Sequence, residues 1–149
     1  MKTLKNKQSG NTVSLHMLLD DLVGELPGLI RENHIAVKNE IPAELRTQTD
    51  PEAYLPLVSE LLNTVMSNAR DTCISISAER YRDVLTVRVV DRNNYNGYAL
   101  DFGLMSVGRL AREIGGDVVV DGVQKRVATI SLSIPDNPEL MISSYGAMA

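Results

Sequence analysis

The sequence contains no tryptophan, a single phenylalanine, one cysteine and two histidines. A lone Cys73 closes no disulfide within the chain, and with only His16 and His34 beside it there are too few soft ligands for a tetrahedral zinc site. Nor is the chain basic: 15 Lys and Arg stand against 19 Asp and Glu, a formal net charge of −4. Nucleic-acid binders need cations for phosphates and rings for bases, so this balance argues against nucleic acid as a partner. Long apolar runs are missing too. The greasiest stretch, Leu15 to Ile30, is interrupted by Asp20, Asp21, Glu25 and Pro27, which predicts no membrane span. The basic start Met1 to Lys7 is not followed by the apolar core of a signal peptide, and together with the cysteine usage this gives a cytoplasmic expectation. No Gly-x-x-x-x-Gly-Lys-Ser/Thr loop and no Gly-x-Ser-x-Gly elbow occur. What is present is an ordinary globular mixture: 149 residues, 44% hydrophobic and 23% charged, enough for one domain with a real core.

Patterning divides the chain into a polar arm (1–11), a folded unit (12–135) and a tail (136–149). Leu15, Leu18, Leu19, Leu22, Leu26, Leu29 and Ile30 recur at helical spacing, with Pro27 expected to break the helix near Glu25. His34 to Ile41 alternates like a half-buried strand. Asp50-Pro51-Glu52 is a helix start, opening a helix to about Ala69 with Leu55, Val58, Leu61, Leu62, Val65 and Met66 inward. Cys73–Ala78 and Val84–Val90 read as a hairpin joined by about five polar residues. Asp91 to Asp101 reads as a loop. Gly103 to Ile114 reads as a helix with Leu104, Val107, Leu110 and Ala111 inward, stopped by Gly115-Gly116. Asp117–Val120 and Val127–Ile134 form a last strand pair. The expected architecture is a two-layer α+β sandwich: a mixed, mostly antiparallel sheet with about three helices on one face.

Four segments, in order, carry a resemblance. The first is Glu40-Ile41-Pro42, then Asp50, then the helix Leu61 to Ala69 ending in Asn68-Ala69. The second is the strand Val84 to Asp91. The third is Phe102-Gly103-Leu104 leading to Arg109-Leu110 and Gly115-Gly116. The fourth is Ala128 to Pro135. Together they cover roughly residues 12–135 and resemble the ATP-binding catalytic domain of sensor histidine kinases, the fold shared with DNA gyrase and the heat-shock chaperone ATPase (GHKL or Bergerat fold).

The resemblance implies a nucleotide set of Asn68, Asp91, Asn93, Gly103, Leu104 and Thr129. Asn68 matches the asparagine that holds Mg²⁺ beside the phosphates, a hard-oxygen role that one amide can fill. Asp91 matches the aspartate that accepts from the adenine amine. Several family features are altered. Thr64 stands at the position of the catalytic base and cannot take a proton at neutral pH. Glu60 is a substitute only at a displacement of about 6 Å, one helical turn back. The glycines after the aspartate are replaced by Asn93, which can still supply a left-handed turn, and by Tyr95, expected to crowd the pocket. The lid is cut short, Gly103 following Asp91 by only 12 positions. Asp101 replaces the first glycine of the phosphate loop and is expected to bring negative charge towards the triphosphate, and Val127 replaces the last glycine. Neither His16 nor His34 has the context of a phospho-accepting histidine.

The altered positions are those the nucleotide needs most. The resemblance therefore implies a degenerate domain, without enzymatic activity or Mg-ATP, that docks a response regulator or a kinase. The alternatives are a working Mg-ATP-binding catalytic domain and an unrelated α+β binding domain.

Overall fold

A computed structural model of the chain describes residues 13–137. The expected arm and most of the expected tail lie outside the described residues. The described part runs α1 (Leu15–Val23), α2 (Pro27–Glu32), β1 (Ile35–Asn39), a 3-10 turn (Pro51–Ala53), α3 (Leu55–Ser67), β2 (Thr72–Tyr81), β3 (Val84–Asp91), α4 (Gly97–Gly103), α5 (Met105–Glu113), β4 (Asp117–Asp121) and β5 (Ala128–Pro135). The five strands form one sheet in the order β1-β2-β3-β5-β4, with β1 parallel to β2 and every other pairing antiparallel.

Alternation decides which sheet face is covered. Paired residues share a face, so Ile74, Ile76 and Ala78 of β2 stand beside Val87 and Val89 of β3, which stand beside Ile130 and Leu132 of β5. These side chains are buried and join Leu19, Leu61, Leu62, Val65 and Met66 of the helices in a single core. The intervening residues are small or polar and form the open face, where the Thr86 and Ser133 hydroxyls lie 3.3 Å apart and Arg88 Nε donates to Ser131 Oγ at 3.4 Å. The expected two-layer sandwich is thus the observed one.

Local chemistry explains the breaks and several corrections. The helix at Leu15 breaks where expected: it ends at Gly24, and Pro27 opens α2 at a position that needs no N–H. Asp50 does cap, accepting from Glu52 N, but it caps a 3-10 turn, and α3 begins four residues later with Pro56 in its first turn. The polar run Glu79-Arg80-Tyr81 continues β2, so the hairpin loop is only Arg82-Asp83, with Arg82 at φ 58°. Leu110, expected inward, is 40% exposed. The stretch expected to be one loop from Asp91 to Asp101 contains α4.

Asp136, at the first position of the expected tail, is fully buried. Its Oδ1 accepts from Thr49 N at 2.9 Å and Thr49 Oγ1 at 2.7 Å, and its Oδ2 accepts from Gln48 N at 2.9 Å. Arg80 Nη1 lies 2.7 Å from the same Oδ2, an ion pair without an aligned N–H. This carboxylate fastens the end of β5 to β2 and to the segment before α3. Beside it, burial first and then the charge of Asp136 push the Tyr54 phenol above its ordinary value of 10.0.

Two outcomes follow for stability. Asp136→Ala removes the ion-pair partner of Arg80, whose guanidinium then keeps only the Arg46 carbonyl among the described residues, and strands two backbone donors, and should cost about 3–5 kcal/mol in denaturant unfolding. Because the folded-state pKa of Tyr54 is raised, its contribution is full below pH 10.0 and is lost as pH rises further, where the unfolded chain ionises first. Melting across this range should show a fall of up to about 1.4 kcal/mol per pH unit that Tyr54→Phe removes.

Candidate functional site

The residues singled out from sequence converge on one region, between the C-terminal end of α3, the end of β3 and α4. α3 stops at Asn68, whose backbone N–H and side-chain Nδ2 both return to the Thr64 carbonyl, the latter at 2.9 Å. Thr64, one turn earlier, is buried, while Glu60, the substitute base considered from the sequence, is exposed a further turn back. At the end of β3, Asp91 is 1% exposed. Its Oδ1 accepts from Thr72 Oγ1 at 2.7 Å and from Asn93 N at 3.0 Å. The carboxylate therefore turns the chain and satisfies a buried hydroxyl, as an Asx turn does.

Asn93 departs from its expected conformation. The left-handed residues other than glycine among those described are His34, Asp71 and Arg82, not Asn93. Its amide ties two lips together: Nδ2 donates to Asp71 O at 3.1 Å, and Oδ1 accepts from Arg126 Nη1 at 3.0 Å. A second tie lies alongside, with the Arg70 guanidinium 5.9 Å from the centre of the Tyr95 ring. Tyr95 is thus half-exposed across the mouth of the region rather than crowding its interior.

Behind these ties α4 is a core element. Asn96 caps it, accepting from Ala99 N at 3.4 Å. Leu100 and Leu104 are 1% and 2% exposed and belong to the hydrophobic core. The side chain of Leu104, a position the resemblance assigned to the nucleotide, packs in the core. Glycine stands at both ends of the helix: at Gly97 the backbone leaves no room for a side chain, and at Gly103 the approach is close. A Cβ on Gly97 would lie 1.8 Å from the Val123 carbonyl oxygen, and one on Gly103 would lie 3.1 Å from Thr64 Cγ2 and 3.6 Å from Asn68 Nδ2. Gly103 is accordingly the point where α4 presses on α3.

Two further positions are corrected. Asp101 does not point to the space between Asp91 and Asn68. It lines a groove of about 370 Å³ on the other side of α4 with Leu104, Met105, Gly108, Arg109 and Arg112. Thr129 is paired with Val90 and Asp121 and so lies on the open face of the sheet, whereas the residue opposite Asp91 is Ala128. Val127 is half-exposed in the β4–β5 connection. The contacts that sequence reasoning missed are Thr72, Arg70, Asp71, Leu100 and Arg126. Of these only Leu100 left a signal, the spacing Leu100, Leu104, Val107, Ala111 behind a capping Asn96. The histidines serve locally: His16 Nδ1 is 2.7 Å from Ile41 O, and His34 Nδ1 is 3.3 Å from Asp71 Oδ1. Among the described residues no cluster of His, Cys, Asp and Glu could hold a metal ion, and no helix is long and apolar enough to cross a membrane.

No family model matches the sequence, and neither does any curated protein. Solved structures do match. The catalytic domain of histidine kinase ThkA, in a nucleotide-free form, superposes with a TM-score of 0.65 at 18% identity, over 87% of this chain and 97% of that one. Histidine kinase AdeS of Acinetobacter baumannii gives 0.69 at 10% identity, over 85% of this chain and 66% of that one. ThkA in complex with response regulator protein TrrA gives 0.64 at 18% identity, over 86% of this chain and 42% of that one. The chain therefore has the fold of histidine kinase catalytic (ATPase) domains, and the reading as an unrelated α+β domain is set aside.

The role of α4 is open to a direct measurement. Leu100→Ala should cost about 2–5 kcal/mol in denaturant unfolding, the range for truncating a buried leucine. A loose lid would lose less than about 0.5 kcal/mol, as surface substitutions do.

Proposed function

We propose that the chain is a degenerate histidine-kinase-type ATP-binding domain that serves as a protein-interaction module in a two-component or related signalling pathway, with a kinase or a response regulator as partner and without nucleotide hydrolysis. The observation that carries this reading is the burial of Leu100 and Leu104, which fixes α4 in the core across the region where a nucleotide would enter. The complex of ThkA with a response regulator supports the choice of partner class.

The residues present do not fit Mg-ATP. An adenine would need the Asp91 carboxylate, which is 1% exposed and already accepts at Oδ1 from Thr72 and the Asn93 backbone. Phosphates would need room between Asn68 and Gly103, where even an added methyl group comes within 3.1 Å of Thr64. Entry would also break the Asn93–Asp71 and Arg70–Tyr95 ties. A second reading, a working Mg-ATP-binding catalytic domain, is favoured by one fact: Asn68 and Asp91 both stand at the ends of their elements beside this region.

Thermal melting with and without millimolar Mg-ATP separates the two. A ligand at a hundred times its dissociation constant stabilises by about 2.7 kcal/mol, several degrees for a domain of this size. The expected shift is below about 1 °C, because RT ln(1 + [L]/Kd) vanishes when nothing binds. A shift of several degrees that disappears in Asp91→Asn would establish the second reading instead.

A further inference from the structure

The only phenylalanine in the sequence, Phe102, is 76% exposed. It does not stand alone. Tyr98 and Met105, at helical spacing on either side, are 66% and 59% exposed. α4 and α5 are joined through Leu104, itself close to helical at φ −82° and ψ −2°, and the Gly108 N–H returns to the Leu104 carbonyl at 2.9 Å. The two helices, which meet at Leu104, carry an outer row of exposed residues: Tyr98, Asp101, Phe102, Met105, Arg109 and Arg112.

Beside the stripe lies the groove of about 370 Å³, floored by Gly108 and walled by Val118 and Val120 of β4. The Arg112 guanidinium lies across Gly108, its Nη1 3.3 Å from where a Cβ would stand. Gly108 is itself buried, so the guanidinium covers it, and that flat cation is a surface on which an aromatic ring stacks. Among the described residues neither the Asp101 carboxylate nor the Arg109 guanidinium has an ion-pair partner, and Arg112 reaches only Asp117, at 3.8 Å with both side chains more than half exposed.

The stripe is complementary to its own reverse. Counted outward from Met105, Asp101 and Arg109 are equidistant and of opposite charge. Phe102 and Gly108 are equidistant, a ring and the glycine that the Arg112 guanidinium covers. Tyr98 and Arg112 are equidistant, a ring and a guanidinium. A two-fold axis brings such residues together twice, since in an isologous contact residue i meets j and j meets i.

We propose that α4 and α5 form a self-association surface, on which a second copy of this chain packs antiparallel about a two-fold axis through Met105. Phe102 of each copy packs on the Arg112 guanidinium above Gly108 of the other, Tyr98 flanks the same guanidinium, and Asp101 pairs with Arg109. The unpaired opposite charges and the matching rings and guanidinium favour a second copy over a partner of different sequence. The inference does not depend on whether nucleotide binds. A contact built on one helical stripe is small, so the dimer is weak and reversible.

Sedimentation equilibrium of the full chain from about 10 μM to about 1 mM, a range suited to a small interface, measures it. The expected result is a rise in average mass towards the dimer, with Phe102→Ala weakening association about tenfold or more, as truncation of a central aromatic anchor does. Asp101→Arg should abolish the rise by setting like charges against each other, and Asp101→Arg combined with Arg109→Asp should restore it. In a Cys73→Ser background, Met105→Cys should oxidise to a disulfide-linked dimer while Met17→Cys does not. All these side chains but Cys73 are exposed, and unchanged circular dichroism confirms folding of each variant. A monomer at every concentration, undiminished association of Phe102→Ala, failure of the charge exchange to restore it, or equal cross-linking at positions 17 and 105 would each overturn the proposal.

Discussion

The apolar edge of α4 is the constraint from which the rest of the site follows. Once Leu100 and Leu104 are committed to the core, the helix between them must lie close to α3 and to the β4–β5 connection. That closeness explains why glycine stands at both ends, at Gly97 against the Val123 carbonyl and at Gly103 against Thr64. It also holds the Asn93–Tyr95 segment against Asp71 and Arg70, where short polar contacts then form. The burial of two leucines contributes about 3–6 kcal/mol, more than any one of the polar ties across the mouth, so the packing directs the ties and not the reverse.

The same region shows residues whose structural tasks do not depend on any ligand. Asp91 closes an Asx turn and receives the Thr72 hydroxyl. Asn68 ends α3, with its side chain turned back onto its own helix. Gly103 allows two helices to touch. Each has a structural task that would be lost on substitution, whatever binds nearby. At the opposite end of the sheet, Asp136 performs a comparable task, holding β5, β2 and the segment before α3 through one buried carboxylate.

Much of the fold was legible because burial on one side imposes a period. The alternation in Val84–Asp91 and Ala128–Pro135 located two strands, and the spacing of Leu61, Leu62, Val65 and Met66 located α3. Legibility failed where local composition and tertiary contact disagree. Asn, Tyr and Gly between residues 93 and 98 are turn formers by habit, yet Asn96 and Gly97 begin a helix because Leu100 has a core to enter. Glu79, Arg80 and Tyr81 read as a polar loop, yet they extend β2 because Val84 and Leu85 are there to pair with. The landmarks of the site were found in sequence, but their directions were not. Thr129 turns to the open face by the parity of its strand, and Asp101 turns to the α5 groove by the phase of its helix.

By itself, then, the sequence determined the periodicities, the breaks at Pro27 and Gly115, and hence a sheet covered by helices on one side. These depend on near neighbours, and a one-residue error in strand or helix phase would have exposed the core. Only the tertiary structure decided that Asp136 belongs to the folded body, that α4 is packed rather than loose, and that Asp91 and Asn93 answer to Thr72, Asp71 and Arg126. Those partners are distant along the chain or carried on other elements. What brings them together is the packing of elements against one another, a quantity that no local pattern of residues contains.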